Sequence, residues 1–347
     1  MQSGMEALIQ IRNLWKIFES RQISNRRQIS TIELEEFGRL PGNRVAVRDV
    51  SMSVAAGEIF VVMGLSGSGK STLLRMINGL IAPSAGTVEI EGRELDALNG
   101  QDLLAMRRST MAMVFQSFAL FPHRTALENA AFGLDVAGVP RRERLQRAEQ
   151  ALTRVGLGQD LHRRPEQLSG GMRQRVGLAR ALALDPPILL MDEAFSALDP
   201  LIRRDMQDLL IDLQREQRRT ILFISHDLDE AVRLGDRIAL MQDGRLLQCG
   251  TAEDLLCSPS SSAVSTFFDA VDPTAVISVG AIAEPASLPV QLNPDDSASP
   301  WLSASTLIKD AIPIVASAQG SVPVLDNDKQ VIGMVNPTAI LRSLQRR

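Results

Sequence analysis

Hydrophobic and polar positions follow two rhythms along most of this chain. Short continuous apolar runs recur at Glu58–Met63, Met111–Phe115, Ile188–Met191, Thr220–Ser225 and Arg237–Met241. Runs of this length predict strands buried on both faces. Between them, apolar residues fall three and four apart. Arg141–Val155 carries Leu145, Ala148, Leu152 and Val155 on one face, with Gly156 near its end, and predicts an amphipathic helix. Strand runs alternating with helical patterns define an α/β fold.

The pattern also divides the chain. Residues 5–18 read as a strand leading into a turn, and residues 19–44 as a polar, partly helical surface insertion. The first domain is expected to run over 1–272, with a compact helical part at about 117–170. After Asp272-Pro273 the texture becomes rich in Pro, Ala and Ser, as in a linker over 273–304. Order returns over 305–347. A helix is expected from Leu307 to about Ala311, then a hairpin of Val322–Asp326 and Val331–Val335 turning at Asn327-Asp328. Asn336 caps a closing helix that starts at Pro337 and runs to Leu344, giving a small α+β tail.

Composition narrows the function classes. A chain of 347 residues, 45% hydrophobic, fills about two domains. Its net charge of -4 leaves no electrostatic footprint for nucleic acid. The arginines at 141, 142, 144, 147, 218 and 219 stand among Glu and Gln at helical spacing and read as solvated helix faces. Cys249 and Cys257 match no metal spacing and read as reduced thiols. The N-terminus has no signal-peptide pattern, and no apolar run approaches the roughly 18 residues that span a bilayer. The chain is expected to be soluble by itself, with any membrane role supplied by a separate partner.

The chemistry concentrates in three segments. GLSGSGKST, Gly64 to Thr72, fits the pattern G-x-x-x-x-G-K-S/T between a strand-like run and an apolar-periodic helix. Small residues here, Gly64, Ser66, Gly67 and Gly69, let backbone N–H groups curl around an anion, and the helix beginning near Lys70 points its positive end at it. Lys70 adds a point charge for β- and γ-phosphates, and the Ser71 hydroxyl is placed for Mg²⁺. A chance glycine-rich turn is the alternative, and the correct flanks argue against it.

ILLMDE, Ile188 to Glu193, is an apolar strand ending in two carboxylates. Asp192 is placed to hold Mg²⁺, and Glu193 to polarise an attacking water. LSGGMRQRV, Leu168 to Val176, offers a second anion cradle: Ser169 with the N–H groups of Gly170 and Gly171, before a helix expected over Arg173–Leu184. One nucleotide does not need two cradles, so the second is expected to close on the nucleotide of another copy. A plain helix capped by Ser169 is the alternative.

With these motifs the chain resembles the ATP-binding subunit of an ABC transporter over nearly all of residues 1–272, with Met172 where glutamine is commoner. The resemblance implies an ABC-type phosphate-loop ATPase core with an antiparallel β subdomain and a helical subdomain. It implies ATP and Mg²⁺ as cofactors, with Gln116 as a third metal contact at the start of a loop facing membrane subunits. Asp199, in SALD, looks like the coupling point between the two sites of a dimer. His226 looks like the residue that contacts the γ-phosphate, and Phe18 like the aromatic that stacks on adenine. A buried structural histidine and a core phenylalanine are the plain alternatives for the last two.

The insertion at 19–44 and the strings MVFQSFALFPH and ILLMDEAFSALDPLIR are similar to those of ATPases of the glycine betaine/proline importer group, which also includes choline importers; choline, glycine betaine and proline betaine are the candidate solutes. That likeness implies an osmoprotectant-uptake ATPase, peripheral on the cytoplasmic face of the inner membrane. Its partners would be a second copy, permease subunits and, indirectly, a solute-binding protein, with no nucleic acid. Residues 305–347 look like a single cystathionine-β-synthase-type motif where the family commonly has two. The alternatives are a soluble ABC ATPase without a transport role and a motor for another small solute. Ribosome-acting relatives carry two cassettes in tandem, and chromosome ATPases insert a long coiled coil between loop and signature; this chain has neither.

Overall fold

The computed structural model describes residues 7–19, 31–117, 119–285, 300–318 and 320–345. Contacts divide the chain into two compact units, Met1–Thr251 and Ala252–Arg347. The first unit is built on two sheets. Its strands are β1 (Ala7–Phe18), β2 (Arg44–Ala55), β3 (Ile59–Met63), β4 (Ala85–Ile90), β5 (Arg93–Glu94), β6 (Met111–Val114), β7 (Ile188–Asp192), β8 (Thr220–Ser225), β9 (Arg237–Gln242) and β10 (Arg245–Gly250). The antiparallel sheet has the order β2-β1-β4-β5.

The second sheet has the order β10-β9-β3-β8-β7-β6 and is parallel except for its β10 edge. Every residue of β3, β7 and β8 is buried, as the continuous apolar runs predict. Phe223 in β8 packs its ring 5.4 Å from that of Phe195. Full burial of such a side chain stabilises by about 2–3 kcal/mol. The register then fixes where chemistry can occur. Met63 pairs with Ser225, Asp192 with Ile224, and Val114 with Met191, so four strands finish along one sheet edge. Ligands of parallel sheets bind outside the carboxyl ends of the strands.

The helical part holds Ala126–Ala130, Phe132–Val136 and Arg141–Arg154, packed with the helix Gly170–Leu182. Thr125 and Glu128 form a capping box at its start. In the insertion, the helix Thr31–Gly38 buries Leu34 against Trp15 and Ile17, and Glu35 pairs with Arg48 and Arg245. The rest of the expected insertion, residues 20–30, lies outside the described residues. The arginine clusters follow expectation at Arg147, which pairs with Glu143 one turn away, but not at Arg219. Its guanidinium is mostly buried, held by Asp185, Gln217 and the Pro186 carbonyl.

The second unit begins before the composition changes. The helices Ala252–Cys257 and Ser262–Phe268 belong to it, and Glu253 accepts hydrogen bonds from the Ser278 N–H and hydroxyl. Part of the Pro/Ala-rich stretch is therefore packed structure: Ile277 and Val279 are core residues, and Glu284 bridges to Met334. Residues 286–299 lie outside the described residues. A three-stranded sheet, β11 (Leu302–Ser303), β12 (Val322–Leu325) and β13 (Val331–Val335), carries helices Ile308–Ser317 and Pro337–Gln345. The first of these runs past Ala311 despite Pro313, because Ala311 and Val315 are both buried on its inner face. Among the described residues, no helix is long and apolar enough to cross a membrane.

Candidate functional site

Two glycines of the loop after β3, Gly64 and Gly69, stand where a Cβ has no room. Gly69 has φ 98°, and a Cβ there would stand 2.1 Å from the Ala46 carbonyl oxygen. Gly64 meets the Met241 carbonyl in the same way. Lys70 opens the helix Lys70–Ile77 with its side chain folded back: Nζ donates to Gly64 O at 2.7 Å and Leu65 O at 3.0 Å. Burial lowers its pKa, while Glu193 and Asp192 push the other way. A buried ammonium that donates to loop carbonyls suits an incoming phosphate.

Ser71, one residue on, donates its hydroxyl to Asp192 Oδ1 at 2.8 Å. Burial raises the Asp192 carboxyl above its ordinary range, opposed by this hydrogen bond and by Arg75. A hydroxyl and a carboxylate converging at a strand end are hard oxygen donors of the kind Mg²⁺ takes. The residues fit that ion.

Beyond the ends of β6, β7 and β8, three side chains meet. Glu193 Oε2 lies 3.2 Å from His226 Nδ1 and accepts from Gln116 Nε2 at 3.4 Å. Gln116 also reaches the Ser196 hydroxyl at 3.3 Å. Glu193 has φ 46°, a left-handed backbone for a non-glycine residue, which costs about 1–2 kcal/mol. That conformation turns its side chain back toward Gln116 and His226. His226 is exposed, which excludes the buried structural histidine.

The other expected residues lie outside that three-residue cluster. Ser169 caps the helix Gly170–Leu182 by accepting from Met172 N–H at 3.2 Å, so both glycines lie inside the first turn. The helix therefore starts before Arg173; the Ser169 cap offsets the low helix propensity of glycine. Gly170 has open space around its Cβ position, whereas Gly171 faces Ile202 at 2.5 Å. Asp199 is exposed before the helix Pro200–Gln217, and Ser66 is exposed in the phosphate loop. Thr72 lies in the first turn of its helix. Phe18 ends β1 at 43% exposed with Lys16 Nζ 5.2 Å from its ring, which excludes a core role.

Two polar groups were not legible beforehand. Asn129 is fully buried and donates to the Phe121, Arg124 and Thr125 carbonyls while accepting from Phe121 N–H, fixing the segment after Gln116. Arg203 binds Asp227, next to His226, together with the Ser196 and Leu198 carbonyls. The one signal for Arg203 is its place one helical turn after Asp199.

Fold and site together define a phosphate-loop nucleoside triphosphatase of the cassette type. Residues 47–196 match the family model described as ABC transporter. The chain is 42% identical to the glycine betaine/proline betaine transport system ATP-binding protein ProV of Escherichia coli (strain K12), covering 99% of this chain and 98% of the relative. It is 41% identical to the trimethylamine N-oxide transport system ATP-binding protein TmoW of Ruegeria pomeroyi, over 95% and 94%. A solved dimeric ATP-binding cassette, MJ0796, in a post-hydrolysis state bound to ADP and Pi, aligns with a TM-score of 0.59 at 32% identity over 70% of this chain and 98% of that one. The chain belongs to the ABC transporter family, as one of its ATP-binding proteins.

Proposed function

We propose that this chain is the ATP-hydrolysing subunit of a membrane importer for a methylated-ammonium osmolyte: glycine betaine, proline betaine or choline. The observation that carries the catalytic half is the meeting of Gln116, Glu193 and His226 beside the Ser71–Asp192 pair. The substrate half rests on full-length similarity to betaine and trimethylamine N-oxide systems.

In this reading ATP lies between the phosphate loop of one copy and Ser169, Gly170 and Gly171 of a second. Lys70 exchanges the Gly64 and Leu65 carbonyls for phosphate oxygens, and Phe18 stacks on adenine. Ser71, Gln116 and Asp192 would hold Mg²⁺, which when bound neutralises charge on the β- and γ-oxygens. Glu193 takes a proton from water as general base. His226 orients Glu193 and steadies charge developing on the γ-phosphate. The exposed Asp199 meets the second copy, and the segment after Gln116 passes the movement to permease subunits at the cytoplasmic face of the membrane. A separate binding protein selects the solute.

The test is uptake in cells lacking this chain, with labelled glycine betaine, choline and trimethylamine N-oxide in competition. Loss of one flux, restored by the wild-type chain and not by Glu193→Gln, supports the reading. Unchanged flux of all three ends the substrate assignment and leaves the ATPase assignment to stand on hydrolysis assays.

A regulatory role for the second unit is favoured by a cavity of about 570 Å³ within it, bordered by Glu253, Leu256, Phe268, Ile277, Ile282 and Leu344. That size suits a small regulatory ligand. Filling it with Ala281→Trp should leave basal hydrolysis intact and change how uptake responds to osmolarity; an unchanged response makes the second unit purely structural.

A further inference from the structure

Arg203 occupies the first turn of the helix Pro200–Gln217 and makes contacts in two directions. One terminal nitrogen donates to Asp227 Oδ2 at 2.8 Å. The other lies 3.4 Å from the Ser196 carbonyl oxygen and 3.3 Å from that of Leu198. A planar guanidinium serves both directions at once because its donors stand in a fixed fork.

Each end of this link leads into the site. Ser196 and Leu198 belong to the segment that reaches Asp199, and the Ser196 hydroxyl touches Gln116 and the Glu193 carbonyl. Asp227 directly follows His226. Its second oxygen accepts from Glu230 N–H at 3.0 Å, capping the helix Leu228–Leu234. Beneath it, the Ser225 hydroxyl accepts from Asp227 N–H and donates to buried Glu230, which also accepts from Gln207 at 3.1 Å. Gln207 sits one turn after Arg203 on the same helix. The His226 loop is therefore gripped twice by one helix, and one of those grips also holds the segment before Asp199.

We propose that Arg203 is a positioning residue that ties the Ser196–Asp199 segment to the His226 loop, so that docking of a second copy on that segment is carried to His226 and holds it against Glu193. The inference rests on the roles given above to Glu193 and His226. Without the link, each copy would place its histidine independently of whether the partner had docked.

The experiment uses the full-length chain and Arg203→Gln, Arg203→Lys and His226→Ala, singly and with Arg203→Gln combined with His226→Ala. Steady-state ATP hydrolysis gives kcat, KM and the Hill coefficient; a fluorescent ATP analogue gives Kd. Arg203→Gln should lower kcat roughly 10- to 100-fold, as for a misplaced catalytic group, with KM and Kd within about 2-fold of wild type. Its Hill coefficient should fall toward one. Arg203→Lys keeps the charge opposite Asp227 and should recover part of kcat. Because Arg203 acts through His226, Arg203→Gln should add no further loss in the His226→Ala background.

Wild-type kcat and cooperativity in Arg203→Gln overturn the inference. So does an equal loss in both backgrounds, which marks a merely structural contact. If Arg203→Gln does not fold by thermal melting, Asp227→Asn, which keeps an oxygen for the helix cap, takes its place in the same cycle. If His226→Ala and Glu193→Gln both turn over normally, the site reading fails and the inference falls with it. If those two are inactive and Arg203→Gln is normal, only the inference fails.

Discussion

His226 Nδ1 and Glu193 Oε2 stand 3.2 Å apart across the ends of β8 and β7, with Gln116 against the same carboxylate oxygen at 3.4 Å. This places a carboxylate, an imidazole and an amide within one cluster. Glu193→Gln keeps the shape and removes the proposed base. Turnover should fall at least 100-fold, within the range ascribed to general-base catalysis, while ATP affinity is retained. The variant should also run as an ATP-dependent dimer in size-exclusion chromatography. Near-normal hydrolysis would remove Glu193 from its role.

The two cradles predict opposite responses to one added methyl group. Gly69→Ala forces a Cβ against the Ala46 carbonyl at a φ that L residues avoid. It should destabilise the fold by about 2–3 kcal/mol and abolish nucleotide binding. Gly170→Ala meets open space in a helix and should be neutral or stabilising by up to about 1 kcal/mol. A monomer should still bind ATP, yet dimerisation and hydrolysis should fail, because in the proposed function the methyl group would occupy the face that meets the second copy. Thermal melting beside light scattering with ATP separates the two; normal dimerisation by Gly170→Ala would detach the signature from the shared site.

Much of this was legible because the parallel strands announce themselves. Runs such as Ile188–Met191 have no polar face, so each had to be buried on both faces, and the chemistry had to follow its end: Lys70 after β3, Asp192 and Glu193 at the end of β7, His226 after β8. Arg203, Gln207 and Glu230 left no such mark. They are polar residues on helices, and a polar helical residue looks the same in sequence whether it faces water or a buried partner; Glu230 is 4% exposed. The boundary at Thr251 was hidden for a related reason. Composition changes where proline and serine accumulate, whereas packing changes earlier, where Leu256 already packs against the core of the second unit.

The aromatic pair on β1 separates a binding contribution from a folding one. Phe18 is half-exposed at the strand end, and Trp15 is buried at 1% exposure with Ile17 and Leu34. Phe18→Ala should leave the melting temperature within about 2 °C, as a surface change does. ATP should bind roughly 5- to 100-fold more weakly, the worth of one base–aromatic stack. Trp15→Ala should instead destabilise by about 3–5 kcal/mol. Isothermal titration with ATP on both variants decides; unchanged affinity in Phe18→Ala would leave adenine to another surface.

Glu230 should make stability fall as pH rises. Burial lifts its carboxyl above the ordinary value of 4.5, against the Ser225 and Gln207 hydrogen bonds; Asp227 adds to the lift and Arg203 opposes it. The unfolded chain releases this proton near the ordinary value, and the native protein keeps it to higher pH. Between the two values the native state binds more protons than the unfolded one, so this group's contribution declines across the window and is constant above it. Glu230→Gln removes the titration while keeping an acceptor for Gln207 and offering an N–H to the Ser225 hydroxyl. Urea midpoints measured from pH 4.5 upward should show the wild type losing stability relative to the variant through the window, then running parallel. Parallel curves from the start would mean that Ser225 and Gln207 stabilise the charged form enough to cancel the cost of burial.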